Sequence, residues 1–366
     1  MRLFVVAGES SGDQLGAQMV NELREQEEVD LRGVGGDALT GVGLKSLFPM
    51  SDLSVMGWKD VYLRLPLLLW RLRQTIDAIL KQKPDLVVLI DSQEFSNRVA
   101  AGVRKTNPAQ KIVLYVAPSV WAWKPERAKQ ILPLYDEVLA VLPFEPTAFE
   151  ELGGPKCSYV GHSSEYLPLA ATQSNTDVLL LPGSRIGEIK RNLSEFEDSI
   201  DWLCKNHPEM GARIATLNGL SGQIRSLLRR SNVDVTEGRM NFLAALQSAR
   251  TAIAVSGTVT LELGFSGIPH ITTYLAEPKM MQAWENYGRP LVNLNNIIVG
   301  RQFVPEILGT EKLGAAIQHS FVDLIDSEAT QEAQIAGFEE VRDKMKEGEP
   351  MAPRQNIVER LLSHLN

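Results

Sequence analysis

Short apolar runs recur along the chain, each followed by a turn that contains Gly, Ser or Pro and then by a longer stretch of helical periodicity. Most of the runs are continuously apolar rather than alternating, which is typical of strands buried on both faces of a parallel sheet. They lie at residues 3–7, 85–90, 111–116, 137–142, 177–181, 212–216 and 251–255. The alternation predicts an α/β fold whose ligands bind beyond the carboxyl ends of the strands.

A polar, turn-like segment at residues 172–176 interrupts this pattern, and a new strand begins directly after it. The length of 366 residues is that of two average domains. We therefore predict an N-terminal domain over residues 1–170 and a C-terminal domain over residues 177–345. Residues 346–366 are predicted to form a closing helix, and packing of this helix back on the N-terminal domain is left open.

The composition of the chain argues against several classes of protein. With 37 basic and 45 acidic side chains the net charge is −8, which argues against binding nucleic acid through bulk positive charge. The two cysteines and five scattered histidines lack the spacing of a zinc site or a disulfide framework, so a reduced cytosolic setting is expected. No window is apolar enough for a spanning helix. We expect a protein that is soluble or lies on a membrane surface.

The first predicted strand runs directly into Gly-Glu-Ser-Ser-Gly-Asp at residues 8–13, and a helical stretch follows. Such a turn presents free backbone N–H groups and a positive helix end, which suit an anionic or hydroxyl-rich ligand. The alternative is that Ser10, Ser11 and Asp13 only cap the helix. The glycines at residues 33–43 do not fit the dinucleotide fingerprint, so NAD binding is weakly supported.

Asp91 stands at the carboxyl end of the run at residues 85–90. A carboxylate at this edge of a parallel sheet is well placed to act as a general base on a substrate hydroxyl. Helix capping by Asp91 is the alternative.

Two further loops suggest nucleotide binding in the second half. Gly183, Ser184 and Arg185 follow one predicted strand and combine a flexible backbone, a hydroxyl and a cation suited to a diphosphate. The second loop follows another strand and supplies hydroxyls with a carboxylate one helical turn later, at Ser256, Gly257, Thr258 and Glu262. Either loop alone could be a simple helix cap, but two loops in one domain favour a nucleotide.

Residues 58–83 combine leucines at helical spacing with six basic and two acidic side chains, a local charge of +4. Pro66 is expected in the first helical turn. The composition is typical of a helix resting on a bilayer interface, with contacts predicted from Leu67, Leu68, Leu69, Trp70, Arg71 and Arg73. The alternative is a core helix whose cations reach out to solvent. Residues 1–160 carry 18 basic and 20 acidic side chains, a net charge of −2. Most of the total net charge of −8 therefore lies in the remaining residues.

Several strings, taken in order, resemble the lipid-A-disaccharide synthase family. They lie at residues 8–13, 33–36, 54–57, 115–131, 142–145, 161–162, 180–185, 256–262 and 293–308. The resemblance implies a GT-B fold, two Rossmann-like domains with parallel sheets that face a central cleft. It also implies inverting, metal-independent transfer of 2,3-diacylglucosamine from UDP-2,3-diacylglucosamine to 2,3-diacylglucosamine 1-phosphate, which yields UDP and a β-1,6-linked disaccharide. No cofactor is expected.

The resemblance also assigns residues. Asp91 would take the proton from the 6-hydroxyl of the acceptor, and Arg185 with Ser184 would neutralise the diphosphate of the leaving UDP. The nucleotide side would be lined by Ser256, Gly257, Thr258, Glu262 and Asn296. The acceptor side or its loops would include Glu9, Ser10, Ser11, Asp13 and Ser119. The implied location is the cytoplasm, peripheral on the inner face of the inner membrane, with an anionic lipid surface as partner; a homodimer is left open.

The chain departs from the family pattern after Asp91. The usual Pro-Asp-Phe-Asn run appears as Gln93, Glu94, Phe95 and Ser96, and the usual Leu-Pro-Asn appears as residues 294–296 with Asn in the middle. These changes leave two alternatives open. One is another UDP-sugar enzyme of GT-B type with a different acceptor, and the other is a non-catalytic relative that binds UDP-sugars or lipids.

Overall fold

The structure is a computed structural model that describes residues 1–53, 57–122, 124–170, 177–229 and 232–365, and only the backbone of residues 57–63. The chain forms two compact units. Unit 1 comprises Met1–His162 and Met345–Asn366, and unit 2 comprises Ser163–Lys344. Both units alternate strands with helices, so the predicted α/β class is confirmed.

Unit 1 contains a parallel seven-stranded sheet in the order β3-β2-β1-β4-β5-β6-β7. Its strands are β1 (Arg2–Ala7), β2 (Asp30–Val34), β3 (Lys45–Ser46), β4 (Leu86–Ile90), β5 (Ile112–Tyr115), β6 (Glu137–Ala140) and β7 (Cys157–Tyr159). Its helices are α1 (Ser10–Arg24), α2 (Asp37–Gly41), α3 (Gly57–Gln82), α4 (Gln93–Thr106), α5 (Glu126–Ile131) and α6 (Glu145–Glu151). The strand order reverses between β1 and β4, which is where Rossmann-like sheets open a ligand crevice.

Unit 2 repeats this arrangement with a parallel six-stranded sheet in the order β10-β9-β8-β11-β12-β13. Its strands are β8 (Asp177–Leu181), β9 (Gly211–Thr216), β10 (Asp234–Glu237), β11 (Ala249–Val255), β12 (His270–Leu275) and β13 (Glu306–Gly309). Its helices are α7 (Ile186–Asn206), α8 (Ser221–Leu227), α9 (Arg239–Ser248), α10 (Thr258–Phe265), α11 (Pro278–Asn286), α12 (Leu294–Val299), α13 (Gly314–Asp326) and most of α14 (Glu328–Glu347). The strand order reverses between β8 and β11.

All seven apolar runs predicted as strands are strands in the structure. The central strand β4 is fully buried along its length, because helices cover both faces of the sheet. Helix α1 packs closely against β4 at Gly16, because the Cβ of any other residue at this position would lie only 2.9 Å from Ile90 Cδ1. This glycine lets the helix approach the end of β4. The missed strands, such as β2 with its sequence Asp-Leu-Arg-Gly-Val, are too short or too mixed in polarity to be recognised.

The position predicted for Pro66 is wrong. Pro66 lies inside α3, which begins at Gly57 and continues past the proline to Gln82. Proline has no N–H and removes one helix hydrogen bond, but the many remaining turns of a long helix can outweigh that loss. The sequence signal for a helix start is therefore overridden here.

The C-terminal residues complete unit 1 after the chain has formed unit 2. A short antiparallel pair, β14 (Gly348–Glu349) and β15 (Ala352–Pro353), leads to α15 (Ile357–Leu362). The backbone N–H of Gln355 donates to the carbonyl of Tyr159 in the edge strand β7. Arg360 reaches Glu137 in β6, with Nη2 2.9 Å from each carboxylate oxygen.

Candidate active site

Asp91 lies in a strained turn directly after β4. Its φ of 49° and the φ of 44° at Ser92 are both left-handed, a conformation uncommon for residues other than glycine. The turn is stabilised because Asp91 N–H donates to the Tyr115 carbonyl at 2.9 Å and Ser96 Oγ donates to the Asp91 carbonyl at 2.7 Å. The N-cap of α4 is Ser92, so helix capping does not account for the Asp91 side chain.

Burial raises the pKa of the Asp91 carboxyl above its usual range, and a hydrogen bond from the Ser92 N–H offsets part of this effect. A carboxylate with a raised pKa is a stronger base, because it holds the proton that it accepts more tightly. The position and the raised pKa of Asp91 are therefore compatible with a general base.

The loop at residues 8–13 lies beside the Asp91 turn. A Cβ on Gly8 would lie 2.0 Å from Ser92 Oγ, so only glycine permits this contact. Glu9 occupies the N-cap position of α1, and Ser10 and Ser11 are exposed in its first turn. Because β1 and β4 are neighbours at the strand-order reversal, their two loops share one edge of the sheet.

Asp13 differs from the exposed residues of this loop in both burial and hydrogen bonding. It is buried, and its carboxylate accepts hydrogen bonds from the N–H groups of Gly36, Ala38 and Leu39 at 2.7, 2.8 and 3.2 Å. Asp13 therefore caps α2 rather than its own helix. The capping alternative describes this residue in part, although the helix that is capped was not foreseen.

The Pro-Ser-Val-Trp string at residues 118–121 follows β5. Val116, a β-branched residue, precedes it with a φ of 75°. Trp121 Nε1 donates to Glu145 Oε1 at 3.3 Å. The rings of Trp121 and Phe144 meet edge-on, with their centres 5.0 Å apart. Burial raises the pKa of Glu145 to about 7, opposed by hydrogen bonds from Leu142, Trp121 and Val141.

The structure thus joins two strings, at residues 115–131 and 142–145, that lie apart in the sequence. Ser119 is exposed on this loop. Residues 54–56 and Trp123, which also belong to the resembling strings, lie outside the described residues.

In unit 2, Arg185 is the N-cap residue of α7 and follows β8 through Gly183, whose φ is 119°. The Arg185 guanidinium is largely exposed, and its Nη1 donates to Glu188 Oε1 at 3.1 Å. Ser184 is also exposed. A cation at the N-terminus of a long helix forms an anion-binding arrangement.

The second loop of unit 2 follows β11, the neighbour of β8 at the strand-order reversal. Gly257 and Thr258 are exposed at the N-terminus of α10, while Ser256 Oγ donates to the Val292 carbonyl at 2.8 Å. Glu262 pairs with Arg239 at 2.6 Å. Burial raises the pKa of Glu262, and the charge of Arg239 opposes this rise. The structure therefore places six of the seven predicted nucleotide-side residues on two loops at the same edge of the sheet.

Asn296 is the exception. It is fully buried, its Nδ2 donates to Val304 and Glu306, and its Oδ1 accepts from the N–H groups of Phe303 and Val304. Each polar atom of the amide is engaged within the protein. Asn296 thus serves the fold, and any part in nucleotide binding has to act through the segment that it positions.

Asn296 belongs to a buried polar network that the sequence interpretation missed. Asn293 donates to His270 Nε2 at 3.0 Å and to Thr272 Oγ1 at 2.7 Å, and Glu306 accepts from the Asn293 N–H at 2.9 Å. Burial lowers the pKa of His270 to about 4, so the ring stays neutral. The available signal was the cluster of three asparagines in an otherwise apolar stretch.

The predicted membrane contacts divide into two groups. Leu69, Trp70 and Arg73 are exposed on α3, and Leu67 and Leu68 are partly exposed.

Arg71, which is also predicted to contact a membrane, is mostly covered by neighbouring side chains. Its Nη2 lies 2.7 Å from Asp52 Oδ2, and its guanidinium carbon lies 4.1 Å from the Trp70 ring centre and 4.6 Å from that of Phe48. The side chain is only 13% exposed, because the ion pair and the two rings draw it against unit 1.

The described residues contain neither a candidate metal site nor a candidate membrane-spanning helix. No group of three or more His, Cys, Asp or Glu side chains in the described ranges could hold a metal ion. Within the same ranges, no helix is both long enough and apolar enough to cross a bilayer.

Two Rossmann-like units, with a candidate base at the strand-order reversal of one sheet and two candidate anion-binding loops at that of the other, are typical of proteins with the GT-B fold. A family model described as Lipid-A-disaccharide synthetase matches residues 3–358. The chain therefore belongs to the lipid-A-disaccharide synthase family, which confirms the resemblance, the enzyme class and the main function predicted from the sequence.

Curated relatives agree with this assignment. A lipid-A-disaccharide synthase of Rhodopseudomonas palustris is 37% identical over 379 residues, which cover 99% of this chain and 96% of that protein. The lipid-A-disaccharide synthase of Rhodospirillum centenum is 33% identical over 378 residues and covers 99% and 94%.

Solved structures show the same fold at low identity. The UDP-GlcNAc 2-epimerase of Neisseria meningitidis bound to UDP-GlcNAc has a TM-score of 0.66 at 13% identity, covering 100% of this chain and 99% of that chain. MurG of Acinetobacter baumannii has a TM-score of 0.58 at 11% identity, covering 99% of each. At these identities the similarity concerns the fold alone.

Proposed function

We propose that this protein transfers 2,3-diacylglucosamine from its UDP-activated form to 2,3-diacylglucosamine 1-phosphate and that Asp91 is the catalytic base. The observation that carries the proposal is the strained turn that places the half-buried Asp91 carboxylate beyond β4, with a raised pKa. Family membership supports the substrates, and the position at the strand-order reversal supports the role.

The proposed reaction is a single displacement. Asp91 accepts the proton of the acceptor's 6-hydroxyl while the 6-oxygen attacks the sugar carbon that bears the diphosphate. The bond between this carbon and the diphosphate oxygen breaks, and UDP leaves with the electron pair from the opposite face. Attack opposite to the leaving group inverts the configuration, in accordance with a β-linked product.

Arg185 is proposed to stabilise the negative charge that develops on the leaving UDP. Its exposed guanidinium pairs with Glu188 in the structure, so a diphosphate can compete for the same cation. The N-termini of α7 and α10 add partial positive charge next to Ser184, Gly257 and Thr258. Stabilisation of a leaving group by fixed charges is often a large part of enzymatic rate enhancement.

The same proposal includes a membrane surface, since both substrates carry acyl chains. The exposed Leu69 and Trp70 with the neighbouring Arg73 on α3 suit the boundary of an anionic bilayer. We place the enzyme peripherally on the inner face of the inner membrane, with unit 1 receiving the acceptor and unit 2 the UDP-sugar.

The test is a turnover assay with both lipid substrates that detects UDP and the disaccharide. Asp91→Asn keeps the shape but removes the base, so kcat is expected to fall by roughly 10²–10⁴-fold. The matched control is Asp30→Asn, an exposed aspartate at the start of β2, on the opposite edge of the same sheet. Full activity of Asp91→Asn would overturn the assigned base, and UDP binding without turnover in the wild type would favour a non-catalytic relative.

A further inference from the structure

Gln93 is the first residue of α4, two positions after Asp91, and stands where the family pattern has Pro. Its Nε2 donates to the Val116 carbonyl at 3.4 Å. A carbonyl oxygen only accepts hydrogen bonds, so this contact determines which end of the amide is nitrogen. The other end, Oε1, is buried and has no hydrogen-bond partner among the residues that the structure describes.

An unpaired buried acceptor destabilises a folded protein unless a water or a ligand donates to it. The surroundings of Gln93 favour a ligand. The amide connects two of the places where non-glycine residues adopt left-handed backbone, Asp91 with Ser92 on one side and Val116 on the other. Strain of this kind concentrates at ligand and catalytic sites, where the surrounding structure maintains it.

The chemistry of the acceptor decides which group can donate. In 2,3-diacylglucosamine 1-phosphate, N2 and O3 carry acyl groups and O1 carries the phosphate. Two hydroxyls remain, at positions 4 and 6, and the 6-hydroxyl is the one that reacts at Asp91. The 4-hydroxyl is on C4, which is bonded directly to C5, the ring carbon that bears C6.

We infer that Gln93 Oε1 accepts a hydrogen bond from the 4-hydroxyl of the acceptor sugar, which makes Gln93 a specificity-determining residue next to the base. The inference rests on the proposed function, because it takes the acceptor from there. A proline at this position has no side-chain amide, so this chain recognises the hydroxyl in a way that the usual family sequence does not.

The experiment compares the natural acceptor with its 4-deoxy analogue in the wild type and in Gln93→Leu. With the natural acceptor, Gln93→Leu is expected to raise the acceptor KM about tenfold, the effect of one hydrogen bond, while the donor KM and kcat change little. With the 4-deoxy acceptor the two proteins should have the same acceptor KM. This double comparison isolates the contact between side chain and hydroxyl.

The matched control is Gln18→Leu, a partly buried glutamine on α1 whose amide bonds to Glu22 instead. It should leave all constants unchanged. If the loss of the 4-hydroxyl raises the acceptor KM by the same factor in wild type and in Gln93→Leu, the inference is overturned and a water at Oε1 is indicated. If Gln93→Leu does not fold, the wild type alone decides, because an unchanged acceptor KM with the 4-deoxy analogue contradicts the contact.

Failure of the proposed function gives a different result. In that case the wild type forms no disaccharide from the natural substrates, and both proposals fall. Turnover of the natural acceptor without dependence on the 4-hydroxyl leaves the function in place and removes only the role of Gln93.

Discussion

Backbone strain at single residues shapes the edge of unit 1 where the central strands of its sheet end. Asp91, Ser92 and Val116 all adopt positive φ values, and each stands where a central strand ends. Hydrogen bonds from the Asp91 N–H and the Ser96 hydroxyl maintain the turn, and Gly8 makes room for Ser92. Strain that neighbouring residues impose in this way places a carboxylate in one orientation before the substrate arrives.

The pH dependence of activity should report the environment of Asp91. A base works in its ionised form, so kcat/KM should fall as the pH drops through the pKa of Asp91. Since burial raises this pKa above the ordinary value of 3.8, the acidic limb is expected at a higher pH than an exposed aspartate would give. The measurement is kcat/KM against pH with wild-type protein.

The same shift has a consequence for stability. A carboxyl whose pKa is raised on folding stabilises the folded state when protonated, and this contribution is lost as the pH rises through the folded pKa. Asp91→Asn should therefore unfold at an equal or higher denaturant concentration than wild type at pH 7. An acidic limb of the kcat/KM profile at or below pH 3.8, or a marked loss of stability in Asp91→Asn, would contradict a raised pKa of Asp91.

At the scale of elements, α3 has a packed face and an exposed face that its sequence cannot separate. Arg71 faces Asp52 and the Phe48 ring, whereas Leu69 and Trp70 are exposed. One helix therefore packs on unit 1 and leaves an apolar face uncovered. The contacts of Arg71 agree with a helix that packs on the core, and the interfacial interpretation of residues 58–83 stays a prediction.

The exposed face of α3 should determine vesicle binding. Replacing Leu69 and Trp70 with Ser removes two large apolar side chains, so binding to phosphatidylglycerol vesicles is expected to weaken by tenfold or more. Sedimentation with vesicles measures the effect. The control is the double variant Leu132→Ser and Leu169→Ser, two leucines that are 51% and 64% exposed elsewhere. Equal binding of both variants would show that α3 is not the membrane contact.

At the scale of the whole molecule, the chain closes unit 1 only with its last residues. Glu137 in β6 is fully buried and bonds to Arg360 and His364 near the C-terminus and to Ser158 in β7. Burial alone would raise the pKa of Glu137, but these hydrogen bonds and the charge of Arg360 lower it from 4.5 to about 2. The ionised carboxylate thus attaches α15 to the sheet.

This ion pair should make the attachment sensitive to acid. A lowered pKa stabilises the folded state above about pH 4.5, and the contribution is lost as the pH falls towards 2. Glu137→Gln removes one partner of a buried pair, which typically costs about 3–5 kcal/mol. Hydrogen exchange in peptides from β6 and α15 should therefore be much faster in Glu137→Gln at pH 7, with a smaller difference from wild type below pH 4.

The control for this prediction is Glu359→Gln, an exposed position on the same helix, which should change stability by less than about 0.5 kcal/mol. A difference between Glu137→Gln and wild type that is the same at pH 7 and below pH 4 would show that the ionised carboxylate is not what attaches α15.

Sequence patterns were most reliable where one physical cause dominated. The buried strands, the strand-end position of Asp91 and the loops at Arg185 and Gly257 all follow from local polarity and turn chemistry. Roles that depend on distant partners were not accessible. Asp13 caps α2 from another helix, and the Asn296 amide is used up by residues seven to ten positions away.

The sequence by itself determined the fold class, the family and the edge of each sheet where chemistry can occur, because apolar periodicity and turn residues act over a few neighbouring positions. Only the tertiary structure decided which side chains remain available there. It engages Asp13, Arg71 and Asn296 within the protein and leaves Gln93 Oε1 buried without a partner among the described residues. Burial and hydrogen-bond partners are properties of packed elements, and the strands that supply them are far apart in the chain.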